Sequence, residues 1–178
     1  VINVLRNKNL TQGGVTKDFE EAIAKKVASQ YCVVVNSATS ALHLACLAIG
    51  LESNDILWTS PNSFVASANC GAYVGAKVDF VDIEPSTGLM SINKLIEKLK
   101  IAEIENKLPK VIIPVHLAGA VCEMEKLYGL SKVYNFKIIE DASHAIGAKY
   151  NNENVGNCRY SDITVFSFHP VKIITSGE

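Results

Sequence analysis

Residues 110–141 read KVIIPVHLAGAVCEMEKLYGLSKVYNFKIIED, and this stretch decides the fold. "KVIIPVH" is a short, nearly continuous apolar run rich in β-branched residues, which predicts a buried strand. A helical pattern follows from about Glu123 to Tyr134, and "FKIIED" is a second apolar strand ending on two acids. Strands that are apolar on both faces belong to parallel sheets, and a strand–helix–strand unit is the crossover that joins parallel neighbours.

The same alternation extends in both directions. Upstream, "YCVVVN" (31–36) reads as a buried strand, and the helix after it carries Ala41, Leu42, Leu44, Ala45 and Ala48 and ends on Gly50. "DILWTSP" is the next strand, before an Ala-rich helix from Ser63 to about Tyr73. "AKVDFVDI" is another, with turn chemistry in "EPSTG". "SINKLIEKLKIAEIEN" is amphipathic, with Ile92, Leu95, Ile96 and Leu99 on one stripe. Downstream, "DITVFSF" completes the set, and at the start "TKDFEEAIAKKVAS" predicts a helix capped by Thr16 with acids in its first turn. The expected architecture is α/β, three layers (α/β/α) around a mostly parallel sheet.

Composition narrows the function classes. The chain has 178 residues, 48% hydrophobic and 20% charged, with a net charge of −1. Lysine and arginine are scattered, so no electrostatic footprint for nucleic acid or a membrane surface appears. No apolar run approaches the roughly 20 residues of a membrane span, and the N-terminus does not read as a signal peptide; the expected location is cytoplasmic. Five cysteines at 32, 46, 70, 122 and 158 include no CxxC pair, which favours buried free thiols over zinc or disulfides. The start at Val1 and the stop at "TSGE" read as part of a longer protein.

In an open α/β sheet, ligands gather beyond the carboxyl ends of the strands. Three such ends carry chemistry. After "YCVVVN", Ser37-Ala38-Thr39-Ser40 opens a helix with small hydroxylic residues, which suits either a phosphate seat or plain capping by Asn36 or Ser37. After "FKII" stand Glu140-Asp141-Ala142-Ser143-His144. A buried acid there needs a partner, and an Asp141 cap or metal ligation by Asp141 and His144 are the other readings. After "DITVF", Lys172 follows Ser167-Phe168-His169-Pro170-Val171; an amine in an apolar run is either a desolvated nucleophile or a surface lysine. A phosphate seat, a buried acid and an activated lysine together are what pyridoxal 5'-phosphate requires.

The motifs "LTQGG…FEEAIAKKV", "NSATSALHLA", "SPNSFVASAN", "VDFVDIEPSTG", "EDASHAIGA" and "SDITVFSFHPVK" occur in order along essentially the whole chain. In them the sequence resembles the DegT/StrS-type nucleotide-sugar aminotransferases, a branch of the fold-type I pyridoxal-phosphate enzymes. The likeness is strongest to members acting on a UDP-4-keto-6-deoxy-hexosamine in pseudaminic acid biosynthesis. The resemblance implies that Lys172 holds the cofactor as a Schiff base and shuttles a proton, and that Asp141 pairs with the pyridinium nitrogen. It places His144 near the cofactor's 3' oxygen, Ala38, Thr39 and Ser167 at the phosphate, and Phe64 on the pyridine face. Lys8, Asn9, Leu10 and Thr11 match a segment that approaches the nucleotide sugar. No metal is implied.

The implied reaction moves an amino group from an amino acid, glutamate, to a nucleotide-linked ketosugar for surface polysaccharide or glycoconjugate synthesis. The implied assembly is a homodimer of the full-length protein. Residues 1–30 would be a substrate-approach segment and helix, and residues 31–178 an incomplete cofactor-binding large domain, with the small C-terminal domain absent. Lys172 also separates this chain from a dehydratase branch that carries histidine there, whereas Ile173 departs from the family's proline. The fragment alone is expected to be inactive. Competing readings are a sensor on the same fold, a pyridoxal lyase, and a metal hydrolase using Asp141, His144 and either His116 or His169.

Overall fold

Alternation along the central strands splits the core between two faces of one sheet. The computed structural model describes residues 2–6 and 13–177. Its first elements are α1 (Ile2–Arg6), α2 (Gly14–Val27), α3 (Ala38–Ala48), β1 (Ile56–Thr59) and α4 (Ala66–Tyr73). Then come β2 (Lys77–Phe80), α5 (Ile92–Ile104), β3 (Val111–Ile113), a 3-10 turn (Leu117–Gly119) and α6 (Met124–Tyr134). The remainder is β4 (Lys137–Asp141), a β5–β6 hairpin (Lys149–Tyr150, Glu153–Asn154) and β7 (Ile163–Val165).

The sheet runs β2-β1-β3-β4-β7, with every pair parallel. Leu57, Val111, Ile113, Ile139 and Val165 face one way and pack with Leu42, Ala45, Cys46, Ala66 and Cys70 of α3 and α4. Trp58, Ile112 and Ile138 face the other way, onto Leu95 and Leu99 of α5 and Met124 and Leu127 of α6. A period of two residues in the strands therefore feeds two helical layers, which is the three-layer arrangement that the apolar runs predict.

The helices follow local signals. Ser91 caps α5 by accepting the Lys94 N–H, and Ile92, Leu95 and Leu99 are buried, with Ile96 packed at the margin. The "EPSTG" turn closes through Gly88 N–H donating to Glu84 O at 2.8 Å. Three cysteines, 46, 70 and 122, are buried free thiols, and Cys32 and Cys158 are half-buried and also free. No helix among the described residues is long and apolar enough to cross a membrane.

Four local expectations are corrected. Residues 31–36 are not a strand: Tyr31 and Val33 are each 79% exposed, and the Val34 N–H donates to Glu20 Oε1 rather than to a ladder. β-propensity describes fit to a pleated surface, and without a hydrogen-bonded neighbour a β-branched run remains merely extended. α2 begins at Gly14 with Gly13 as N-cap, so Thr16 lies inside it and its N–H donates to Gly13 O; no acid falls in the first turn. The helix expected from Ser63 starts at Ala66, after a turn set by Ser67 N–H and Ala68 N–H donating to Phe64 O and Val65 O. "DITVFSF" pairs only over Ile163–Val165.

Ile112 is fully buried on β3, whereas Ile101 on the outer side of α5 is 58% exposed. Ile112→Ala is expected to cost about 2–5 kcal/mol in urea unfolding of the intact protein, and Ile101→Ala to stay within about 0.5 kcal/mol. Equal effects would contradict the assigned layers.

Candidate active site at the carboxyl ends of the strands

Asp141 ends β4 and is 4% exposed. Its Oδ2 accepts the Ser67 hydroxyl at 2.6 Å and its Oδ1 accepts the Ser143 N–H at 3.1 Å. Ser67, fully buried on α4, is in turn 2.6 Å from the Ser63 hydroxyl. The acid is thus stabilised by hydrogen bonds, with no cation in contact among the described residues. Ser63 and Ser67 were not singled out by sequence reasoning. Ser63 lies on the turn before α4, so no helical spacing links the two in the sequence.

His144 lies in the turn that follows β4. Its Nδ1 accepts the Ala118 N–H at 3.2 Å, and its Nε2 is 2.8 Å from Lys172 Nζ. Desolvation, and then the Lys172 charge, hold the imidazole below its ordinary value, with Asp141 opposing them. His144 therefore joins the acid and the amine in one electrostatic neighbourhood.

Lys172 reaches this point on a tight turn. Its N–H donates to His169 O at 2.9 Å, with Pro170 at the second position, where a fixed φ favours turn formation. The His169 N–H donates to Ser167 Oγ, and Ser176 N–H and Thr175 Oγ1 both donate to Phe168 O, folding the segment back on itself. The side chain is half-buried between exposed Val171 and Ile173, not enclosed by an apolar run as expected. The turn's flanking apolar residues point outward, so what distinguishes this lysine is its contact with His144.

The helix start carries the cap expected of Asn36 or Ser37. Ser37 is the N-cap of α3; its Oγ accepts the Ser40 N–H at 3.2 Å and donates to Ser40 Oγ at 3.1 Å. Ala38 and Thr39 are the first helical residues, and their N–H groups have no intrahelical acceptor. Ala38 packs on the cluster that holds Val165, two residues before the buried Ser167. Phe64 is 70% exposed on the turn before α4. Among the described residues no hydrogen bond joins Ala38, Thr39, Ser167 or Phe64 to Asp141, His144 or Lys172. Lys8, Asn9, Leu10 and Thr11 lie outside the described residues.

The metal reading finds its residues otherwise engaged. His116 Nε2 lies 2.7 Å from Glu140 Oε2, and His169 Nδ1 accepts the Val171 N–H. Among the described residues no three His, Cys, Asp or Glu side chains are grouped as metal ligands.

Residues 1–178 match the DegT/DnrJ/EryC1/StrS aminotransferase family. The chain belongs to that family. A Campylobacter jejuni UDP-4-amino-4,6-dideoxy-N-acetyl-beta-L-altrosamine transaminase is 43% identical over 174 residues, which is 98% of this chain and 44% of the relative. Helicobacter pylori PseC, an aminotransferase of pseudaminic acid biosynthesis, superposes with a TM-score of 0.90 at 35% identity, over 99% of this chain and 46% of that one. The Streptococcus pneumoniae protein Spr1654, solved in its PLP-form, does so with a TM-score of 0.86 at 30% identity, over 99% of this chain and 47% of that one. The family member described here therefore spans less than half the length of these relatives. Its sheet and helices match the fold of pyridoxal-phosphate aminotransferases.

The residues present fit that cofactor. A buried carboxylate suits a ring nitrogen, an accessible amine suits an aldehyde, and open N–H groups with hydroxyls at the start of an eleven-residue helix suit a phosphate. Ser67→Ala removes a hydroxyl donor from the buried Asp141 and is expected to cost about 1.5–3 kcal/mol. Chemical denaturation of the intact protein measures this, and an unchanged midpoint would contradict the contact.

Proposed function

We propose that this chain is the cofactor-binding part of a pyridoxal 5'-phosphate-dependent aminotransferase. The enzyme would transfer an amino group from glutamate to a nucleotide-linked 4-keto-6-deoxy sugar, for surface polysaccharide or glycoconjugate synthesis. The observation that carries this reading is the Lys172 amine 2.8 Å from His144, itself in the field of the buried Asp141, in a member of a family of aminotransferases. When bound, the cofactor supplies an electron sink for the carbon that loses or gains a proton.

The roles of the chain's own groups follow from their chemistry. Asp141, held by Ser67 and the Ser143 N–H, would pair with a ring nitrogen. Lys172 is the nucleophilic amine and afterwards the group that moves the proton. Ala38, Thr39 and Ser167 hold the phosphate, and Phe64 offers an open aromatic face for stacking. Lys8 to Thr11 belong to the substrate-approach segment, residues 1–30, and residues 31–178 belong to the cofactor-binding domain. A cytoplasmic homodimer that completes each site from its partner fits this assignment, and the name of the similar Campylobacter jejuni transaminase favours a UDP-linked sugar.

The test uses the intact protein with pyridoxal phosphate, glutamate and a panel of UDP-, GDP- and dTDP-linked 4-keto-6-deoxy sugars. Mass spectrometry should find an amino sugar from the UDP substrate, and Lys172→Ala should lower its rate to below about one-thousandth. No amino sugar from any substrate, or full turnover by Lys172→Ala, would overturn the proposal.

A further inference from the structure

A serine hydroxyl carries one proton, and that of Ser67 goes to Asp141 Oδ2 at 2.6 Å. The Ser63 hydroxyl lies 2.6 Å from the same Ser67 oxygen. With its own proton committed, Ser67 can only accept there, so Ser63 is the donor. The contacts therefore run one way, from Ser63 through Ser67 to the acid. A hydroxyl that accepts a hydrogen bond becomes a better donor, and more so where water is excluded. Ser67 and Asp141 are both buried, whereas Ser63 is half-buried at the outer end of the chain of hydroxyls.

Ser63 does not spend its hydroxyl as a serine before a helix usually does, by accepting a first-turn N–H. Val65 is the N-cap of α4, and no side-chain hydrogen bond caps that helix. Instead Ser63 and Ser67 bracket Phe64. Their side chains meet across the turn, and the Ser67 N–H donates to Phe64 O at 3.2 Å. The turn that carries the exposed Phe64 ring is thus fastened to α4 by a side-chain and a main-chain contact. The main chain of Asp141 is fixed separately, because its N–H donates to Pro114 O and its O accepts the His116 N–H, each at 3.0 Å. What remains to be set is the aim of its carboxylate, and Ser67 and the Ser143 N–H hold that.

We propose that Ser63 is a positioning residue which, through Ser67, sets the aim of the Asp141 carboxylate and the turn of Phe64 together. The proposal rests on the aminotransferase reading, in which the acid pairs with the nitrogen of the cofactor ring and Phe64 stacks on the same ring. One hydroxyl outside the contact surface then governs both contacts to the ring. The phosphate seat is independent of it: among the described residues no hydrogen bond joins Ser63 or Ser67 to Ala38, Thr39 or Ser167.

The test is calorimetric titration of the cofactor-free intact protein with pyridoxamine 5'-phosphate, which has an amine in place of the aldehyde and cannot become attached to Lys172. Ser63→Ala should weaken its binding about tenfold. Ser63→Thr keeps the hydroxyl and should bind as the wild type does. Inorganic phosphate, which has no ring, should bind wild type and Ser63→Ala alike. Ser63→Cys keeps the size of the side chain with a weak donor, and it serves where Ser63→Ala fails to fold. Wild-type affinity in folded Ser63→Ala, the same loss in Ser63→Thr, or the same loss for inorganic phosphate would overturn the positioning role alone. A wild type that binds no pyridoxamine 5'-phosphate would overturn the aminotransferase reading and the proposal with it, so the two failures are distinguishable.

Discussion

Two adjacent acids at the end of an interior strand govern the arrangement of this molecule. Glu140 and Asp141 are neighbours on β4, and the alternation of a strand sends their side chains to opposite faces. Both are nearly buried, and a buried carboxylate is costly unless hydrogen bonds replace its water. Each face of the sheet must therefore supply its own partners. On one face Glu140 gathers His116, Ser161 and Thr164, and together these hold its carboxyl below the ordinary range against the opposing effect of burial. On the other face Asp141 takes Ser67 and the Ser143 N–H.

Meeting both demands positions the rest of the site. Ser67 ties α4 to the end of β4, and Thr164 ties β7 to it from the other face. His116 ties in the turn after β3, and that turn reaches His144, which in turn touches Lys172. Contacts that neutralise two expensive acids thus bring an acid, an imidazole and an amine together at one end of a parallel sheet. The apolar layers beneath them, Leu57 and Ile139 on one face and Ile112 and Ile138 on the other, supply the rigid base.

The elements that could be read from the sequence are those whose signal is local and periodic. The apolar runs of β3 and β4, the stripe of α5 and the helix beginning at Ala38 all appear where patterning puts them. Asp141, His144 and Lys172, which the structure brings into one neighbourhood, stood out because a polar residue beside an apolar strand end is conspicuous. Residues 31–36 failed because pairing depends on a neighbour, which a β-branched run does not encode by itself. Ser67 was hidden because a serine in an Ala-rich helix looks the same whether it faces solvent or a buried carboxylate. The Ala118 N–H was beyond reach altogether, since every residue except proline has one and only the backbone angle aims it.

On the proposed reading, Lys172 is the one lysine whose amine receives the cofactor. Borohydride reduction of the intact protein with pyridoxal phosphate, followed by peptide mass mapping, tests it directly. One pyridoxyl group is expected, on the peptide containing Lys172, and none on that peptide in Lys172→Ala. A pyridoxyl group on a different lysine, with the Lys172 peptide unmodified, would contradict it.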